Sequence, residues 1–336
     1  MPREFPSPNF WSLPTNHLST SPAEVNASQE MITPAFVPIH WDFERDRNFE
    51  SAELAGSLYR NSGARAAAFC LAERAAESVR STSNASGGSP ENSNSREDAG
   101  NAILATKLLL DAGLAVSAWN QIQKATRLLA SSEAQNNPKQ KTGGDLWTQI
   151  IHWQTMAMAA AAVHDQETAS EWLNRSAFLL RRRNKTVSAA CHSETQPADV
   201  TTPADADCSR SLPEERILTL LTGDWLFIQA TIHSVPHRAT EAISALRSAL
   251  ELHLKGCCLE SAAADLHFMA QLELSMGDEQ SASDSTSFGL ELLNSDGNSI
   301  SLPRRTSLQN ALTTLSERCR RASASSQARS DVIRGN

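Results

Sequence analysis

One tyrosine, Tyr59, stands in a chain of 336 residues, and aromatic residues make up only 5% of it. Hydrophobic residues still reach 40%, so apolar surface has to come mainly from alanine and leucine, a mixture that favours helices over strands. An alternating run of β-branched residues, the pattern a half-buried strand requires, is missing. So is any run of about 18 apolar residues, the minimum for a membrane span. The first twenty residues, "MPREFPSPNFWSLPTNHLST", lack the apolar stretch of a secretory signal. Six cysteines (Cys70, Cys191, Cys208, Cys257, Cys258 and Cys319) show no repeating spacing. Without a secretory signal they are expected to be thiols, and the protein cytoplasmic with no membrane partner.

Positive charge is also in short supply. The 30 Lys and Arg residues are outnumbered by 38 Asp and Glu, for a net charge of −8, which argues against nucleic acid as a partner. Arg181, Arg182, Arg183 and Lys185 form a local exception, read as the cationic last turn of a helix. The tryptophans fall in apolar helical patterns rather than among basic residues, where stacking on bases would need them. No glycine-rich phosphate loop follows a strand, and neither Gly-x-Ser-x-Gly nor an activated-cysteine context occurs. Neither an enzyme nor a cofactor is expected.

What is present is organised by proline. Seven of the 14 prolines fall in the first 40 residues, so residues 1–40 cannot be a long helix and form an arm, either disordered or extended against the body through Phe10, Trp11 and Trp41. Polar low-complexity stretches near 81–98, 132–145 and 184–213 read as disordered inserts, and 323–336 as a disordered tail. Between them, across 41–322, apolar residues recur at three and four. Ile103, Leu104, Lys107, Leu108 and Leu110 carry that spacing in one segment, and Ala242, Ile243, Leu246, Ala249 and Leu250 in another.

Small residues then repeat at fixed offsets from a turn. Around Gly63 lie Gly56, seven before it, and Ala68, Ala72 and Ala75 after it. Gly113 is followed by Ala118, Ile122 and Ala125; His164–Asp165 by Ala169, Leu173 and Ser176, with Trp153, Met156 and Ala157 before them. His237 follows Ala230 by seven and precedes Ala242, Leu246 and Ala249. Gly277–Asp278 follows Ala270 and precedes Ala282 and Gly289. Close helix crossings require such small positions, so the spacing predicts five helical hairpins. After Pro303, the stripe Leu308, Ala311, Leu312 and Leu315 predicts a capping helix.

This grammar resembles the tetratricopeptide repeat, a helix–turn–helix unit of about 34 residues. The resemblance covers roughly 49–80, 99–131, 150–182, 223–255 and 263–293. It departs from the family in lacking the terminal proline and in carrying Thr106 where a small residue is usual. It implies an all-α solenoid of about five such repeats, whose concave groove is lined by the first helix of each unit. By offset, the lining would comprise Glu53, Arg60, Asn61, Lys107, Gln154, Phe227, His267 and Gln271. The implied function is a scaffold that binds a peptide or helix of a partner protein. The family's carboxylate-clamp version is not expected, because Glu53 and Ser57 stand where it places basic and amide residues. Two alternatives remain: a regulatory module working beside a separate catalytic or DNA-binding protein, and a helical metal-dependent enzyme. For the latter, His253 and Cys257 share a helical face, with Cys258 and His267 nearby. Their spacing matches no recognised zinc pattern, so buried thiols at a helix junction and no metal are the expectation.

Overall fold

The computed structural model describes residues 31–41, 49–84, 93–135, 143–193, 213–295 and 302–334. Among the described residues there is no strand, and ten α-helices pack in sequential order. They are α1 (Phe49–Asn84), α2 (Ser93–Asp111), α3 (Ala115–Gln135), α4 (Gly143–Ala162), α5 (Gln166–Ser193), α6 (Pro213–Ile232), α7 (Ala239–Lys255), α8 (Leu259–Ser275), α9 (Glu279–Ser295) and α10 (Leu302–Arg334). The helix-rich reading of the composition holds.

The hairpins turn where the spacing places them, for a local reason. Gly63 (φ 80°), Gly113 (φ 71°) and Gly277 (φ 79°) adopt a left-handed backbone that glycine enters without strain. Gly63 thereby divides α1 into two helical halves. His164 makes the same turn at φ 62°. Each of the two-residue turns then hands over to a capping aspartate: Asp165 Oδ1 accepts from the Thr168 amide at 3.1 Å, and Asp278 Oδ1 from the Ser281 amide at 3.1 Å. Between α6 and α7 the turn differs, being a short 3₁₀ helix, Pro236–Arg238, whose first residue needs no amide hydrogen.

Alanines at Ala68, Ala118, Ala157, Ala169, Ala230, Ala242, Ala249, Ala270 and Ala282 are all at 0% exposure, as helix crossings demand. Gly56 is a correction to the sequence reading: a Cβ built there meets nothing within 4 Å, so it occupies no tight seam. The close approaches are at Gly223, against the His253 ring, at Gly256, against Leu220, and at Gly289, against Leu312.

Helix α10 lays Leu308, Leu312 and Leu315 into the body and touches both α8 and α1, so the last helix meets the first. It continues as helix through Arg334, beyond the boundary expected at 322. Likewise α5 continues to Ser193, so Arg181–Arg183 lie inside the helix rather than in its last turn. Arg183 instead pairs with Glu214 (2.6 Å) and covers the Trp147 ring. The central parts of the three polar inserts, and residues 1–30, lie outside the described residues. No described helix is long and apolar enough to cross a membrane.

Residues 101–110, 150–161 and 260–270 are buried at every position. A helix buried on all faces sits inside the molecule rather than on its surface. Part of what encloses these helices is the segment 31–41.

Candidate functional site

Pro34 and Pro38 keep residues 31–40 out of a helix, and the stretch between Met31 and His40 runs without regular structure. It is nevertheless largely buried, with Val37 at 2% and Ile39 at 0% exposure. Its backbone is therefore satisfied by the helices around it. The Ile32 amide donates to the Ser234 carbonyl at 3.2 Å, and the Val37 amide to Asp111 Oδ1 at 2.8 Å. The Val37 carbonyl accepts from Arg304 Nη2. Phe36 enters an apolar cluster formed by Ala263, Ala264, Leu293, Leu308 and Leu312, and meets the His267 ring edge-on at 5.4 Å. Val37, Ile39 and Trp41 belong to the cluster built on Ala55, Leu104 and Leu108.

At the end of this segment, His40 brings three helices together. Its Nε2 donates to Asp224 Oδ1 of α6 at 2.8 Å. Its Nδ1 lies 3.3 Å from the Cys258 sulfur, just before α8, and 3.5 Å from Ser261 Oγ. The same Asp224 oxygen accepts from His253 Nε2 of α7 at 3.2 Å, while His253 Nδ1 bonds Asp265 Oδ2 of α8 at 2.6 Å. The ligating atoms of His40, Asp224 and His253 lie within 4.8 Å of one another, and all three residues are buried. Cys258 Sγ also contacts Ser261 Oγ at 3.2 Å.

Burial works against every charge here, and the close partners decide the outcome. For His40 the adjacent Asp224 and Cys258 outweigh burial and push the imidazole up to about 9. His253 is likewise held well above its ordinary value, by Asp265 and Asp224 against burial. Asp224 stays well below the usual carboxylate range because the two imidazoles overcome its desolvation. Burial pushes Asp265 up to about 6 against the pull of His253. For the Cys258 thiol, burial is outweighed by His40 and His253, which bring it down to about 6. Chemically the group combines a thiol–imidazole–carboxylate chain with a set of two imidazoles and one carboxylate. A described cavity of about 60 Å³ lies elsewhere, beside Thr33, Val37, Gly113 and Met158. That volume suits a few water molecules rather than a substrate.

The residues expected to line a groove divide. Glu53, Arg60 and Asn61 of α1 are exposed, whereas Lys107, Gln154, Phe227 and His267 are buried and Gln271 is half-buried. Gln154 Nε2 donates to the Leu221 carbonyl at 2.7 Å, and Phe227 packs on Phe268 with ring centroids 5.6 Å apart. Of the four residues considered for a metal, His253 and Cys258 join the buried cluster, whereas His267 packs on Phe36. Cys257 is disulfide-bonded, so the expectation of thiols fails there, while Cys70, Cys258 and Cys319 are free.

Sequence reasoning missed His40, Asp224, Asp265, Asp111 and Arg304. Two of them carried a signal: Asp224 in "LLTGDWLF" and Asp265 in "SAAADLHFMA" are lone carboxylates inside apolar helical runs, where a charge is rarely buried without a partner. Comparison with protein-family models, curated proteins and solved structures returns no match, so the site rests on its own geometry.

Proposed function

We propose that this chain is a tetratricopeptide-like interaction scaffold whose inner face holds an extended stretch of polypeptide, and that binding rather than catalysis is its task. The observation that supports this reading is the lodging of residues 31–41. A segment without regular structure is clasped through its backbone by side chains of two helices, Asp111 of α2 and Arg304 of α10. Phe36, Val37, Ile39 and Trp41 enter apolar clusters, and His40 supplies a polar anchor. Backbone hydrogen bonds combined with pockets for particular side chains are how extended peptides are recognised. In this reading the segment occupies the place of a partner peptide, and a partner of similar chemistry competes with it.

A protease site introduced between residues 42 and 48 tests the reading without removing the segment during folding. After cleavage, a labelled synthetic peptide with the sequence of residues 31–41 should exchange into the folded protein, and unlabelled peptide should chase it out. If the cleaved segment stays in place and the labelled peptide never enters the folded body, the segment is core and the inner face is not a binding groove.

A further inference from the structure

We infer that His40, Asp224 and His253 form a binding site for one divalent transition-metal ion of the zinc type, and that the ion fastens segment 31–41 to helices α6 and α7. Three segments far apart in the chain deliver these ligands to one buried place, with the ligating atoms within 4.8 Å of one another. Both imidazoles turn Nε2 toward the same carboxylate oxygen, at 2.8 and 3.2 Å. That is close to the spacing of donors that share a small ion bound at about 2.0–2.2 Å.

The surroundings support the same assignment independently. A metal-bound imidazole characteristically has its second nitrogen held by a carboxylate or another polar group, which fixes the ring. Here Asp265 holds His253 at 2.6 Å, and Cys258 with Ser261 holds His40 at 3.3 and 3.5 Å. The other Asp265 oxygen, Oδ1, is buried without a hydrogen-bond partner. A divalent ion would answer the two buried carboxylates in place of the two imidazolium protons, leaving the imidazoles neutral as ligands. Gly223 leaves room for this ring: a Cβ there would lie 2.6 Å from His253 Nε2. Two nitrogens and one carboxylate oxygen suit zinc and its neighbours, whereas magnesium and calcium prefer all-oxygen sets.

The inference does not depend on whether the inner face receives a partner. It is tested on the full-length chain, purified without a metal-affinity tag, stripped with chelator and reloaded. Zinc should bind at one equivalent per chain and raise the Tm, and chelator should reverse the rise. Asp224→Asn and His253→Gln should abolish the stoichiometric site, and Asp265→Asn should weaken it about 10–100-fold as an outer partner. Cobalt in place of zinc should give visible ligand-field bands without sulfur charge transfer, unchanged in Cys258→Ser. Retention of one tight equivalent in Asp224→Asn, or cobalt–sulfur bands lost in Cys258→Ser, would assign the metal to other residues and overturn the inference. Should the His253 variant fail to fold, the wild-type protein still decides: no zinc retained at micromolar concentration and no Tm response would equally sink it.

Discussion

Arg304 and Asp111 form an ion pair at 2.9 Å in which neither side chain is exposed to solvent. They stand 193 positions apart, at the start of α10 and the end of α2. Burial disfavours the guanidinium charge, but Asp111 and Glu260 together hold Arg304 above its ordinary value. Because the pair also grips both the amide and the carbonyl of Val37, it joins α2 and the last helix to the segment running between them.

Breaking this pair on one side should therefore be costly. Arg304→Met leaves the enclosed Asp111 carboxyl, which burial already pushes above its ordinary value, without its partner, and a loss of about 3–5 kcal/mol is expected in urea denaturation. The double variant Arg304→Met with Asp111→Leu should recover part of that loss, since Asp111 is no longer stranded while Glu260 still loses its partner at 3.7 Å. Equal losses in single and double variants would show that Arg304 acts by packing alone.

Glycine positions make a contrasting pair. Gly223→Ala drives a Cβ into the His253 ring, which is pinned at both nitrogens. Overpacking should cost about 1–3 kcal/mol, outweighing the ~0.5–1 kcal/mol that alanine gains in a helix interior. Gly56→Ala meets nothing within 4 Å and should keep that gain. Opposite shifts in Tm are expected, and shifts of the same sign would refute the seam assignment.

Acid should destabilise the fold through two enclosed, neutral imidazoles. Burial lowers His152 and His267 to about 4. A group whose folded pKa lies below its unfolded value of about 6.5 binds fewer protons when folded. Stability is then complete above pH 6.5 and declines as pH falls toward 4, by at most about 3 kcal/mol for each group. His152 Nε2 shares a bond with Thr126 Oγ1 at 2.9 Å, so His152→Gln can keep that contact while removing the titration. Urea midpoints between pH 7 and 4.5 should fall less steeply in this variant than in the wild type.

Limited proteolysis should separate the segment from the chain around it. The low-complexity composition of 85–92 and 194–212 places the first cuts there, and in residues 1–30. Residues 31–41 should survive longest among the N-terminal positions, because Val37 and Ile39 are enclosed and the Val37 backbone is bonded to two helices. Early cleavage after Phe36 or Trp41 would contradict the enclosure.

Much of the local structure could be read directly from neighbouring residues. Gly63, Gly113, His164 and Gly277 mark four turns because a left-handed backbone is a demand of one residue and its immediate sequence. Asp165 and Asp278 cap helices through bonds three residues long. Leu308, Leu312 and Leu315 face inward because a single helix repeats its face every 3.6 residues. Gly56 shows the limit of this reading: the offset that places it on a seam is right for a helix, but which partner lies opposite is not a local property.

The sequence alone thus determined the helical class, the positions of four left-handed turn residues and the inward stripe of the last helix, since propensity, turn geometry and periodicity act over a few residues. Only the tertiary structure decided that a proline-bearing stretch lies inside the body. It also decided that His40 meets Asp224 across 184 positions and that Arg304 meets Asp111 across 193. Such pairings follow from how successive helices stack and bring the last helix against the first, a sum of many small packing rotations that no window of sequence contains.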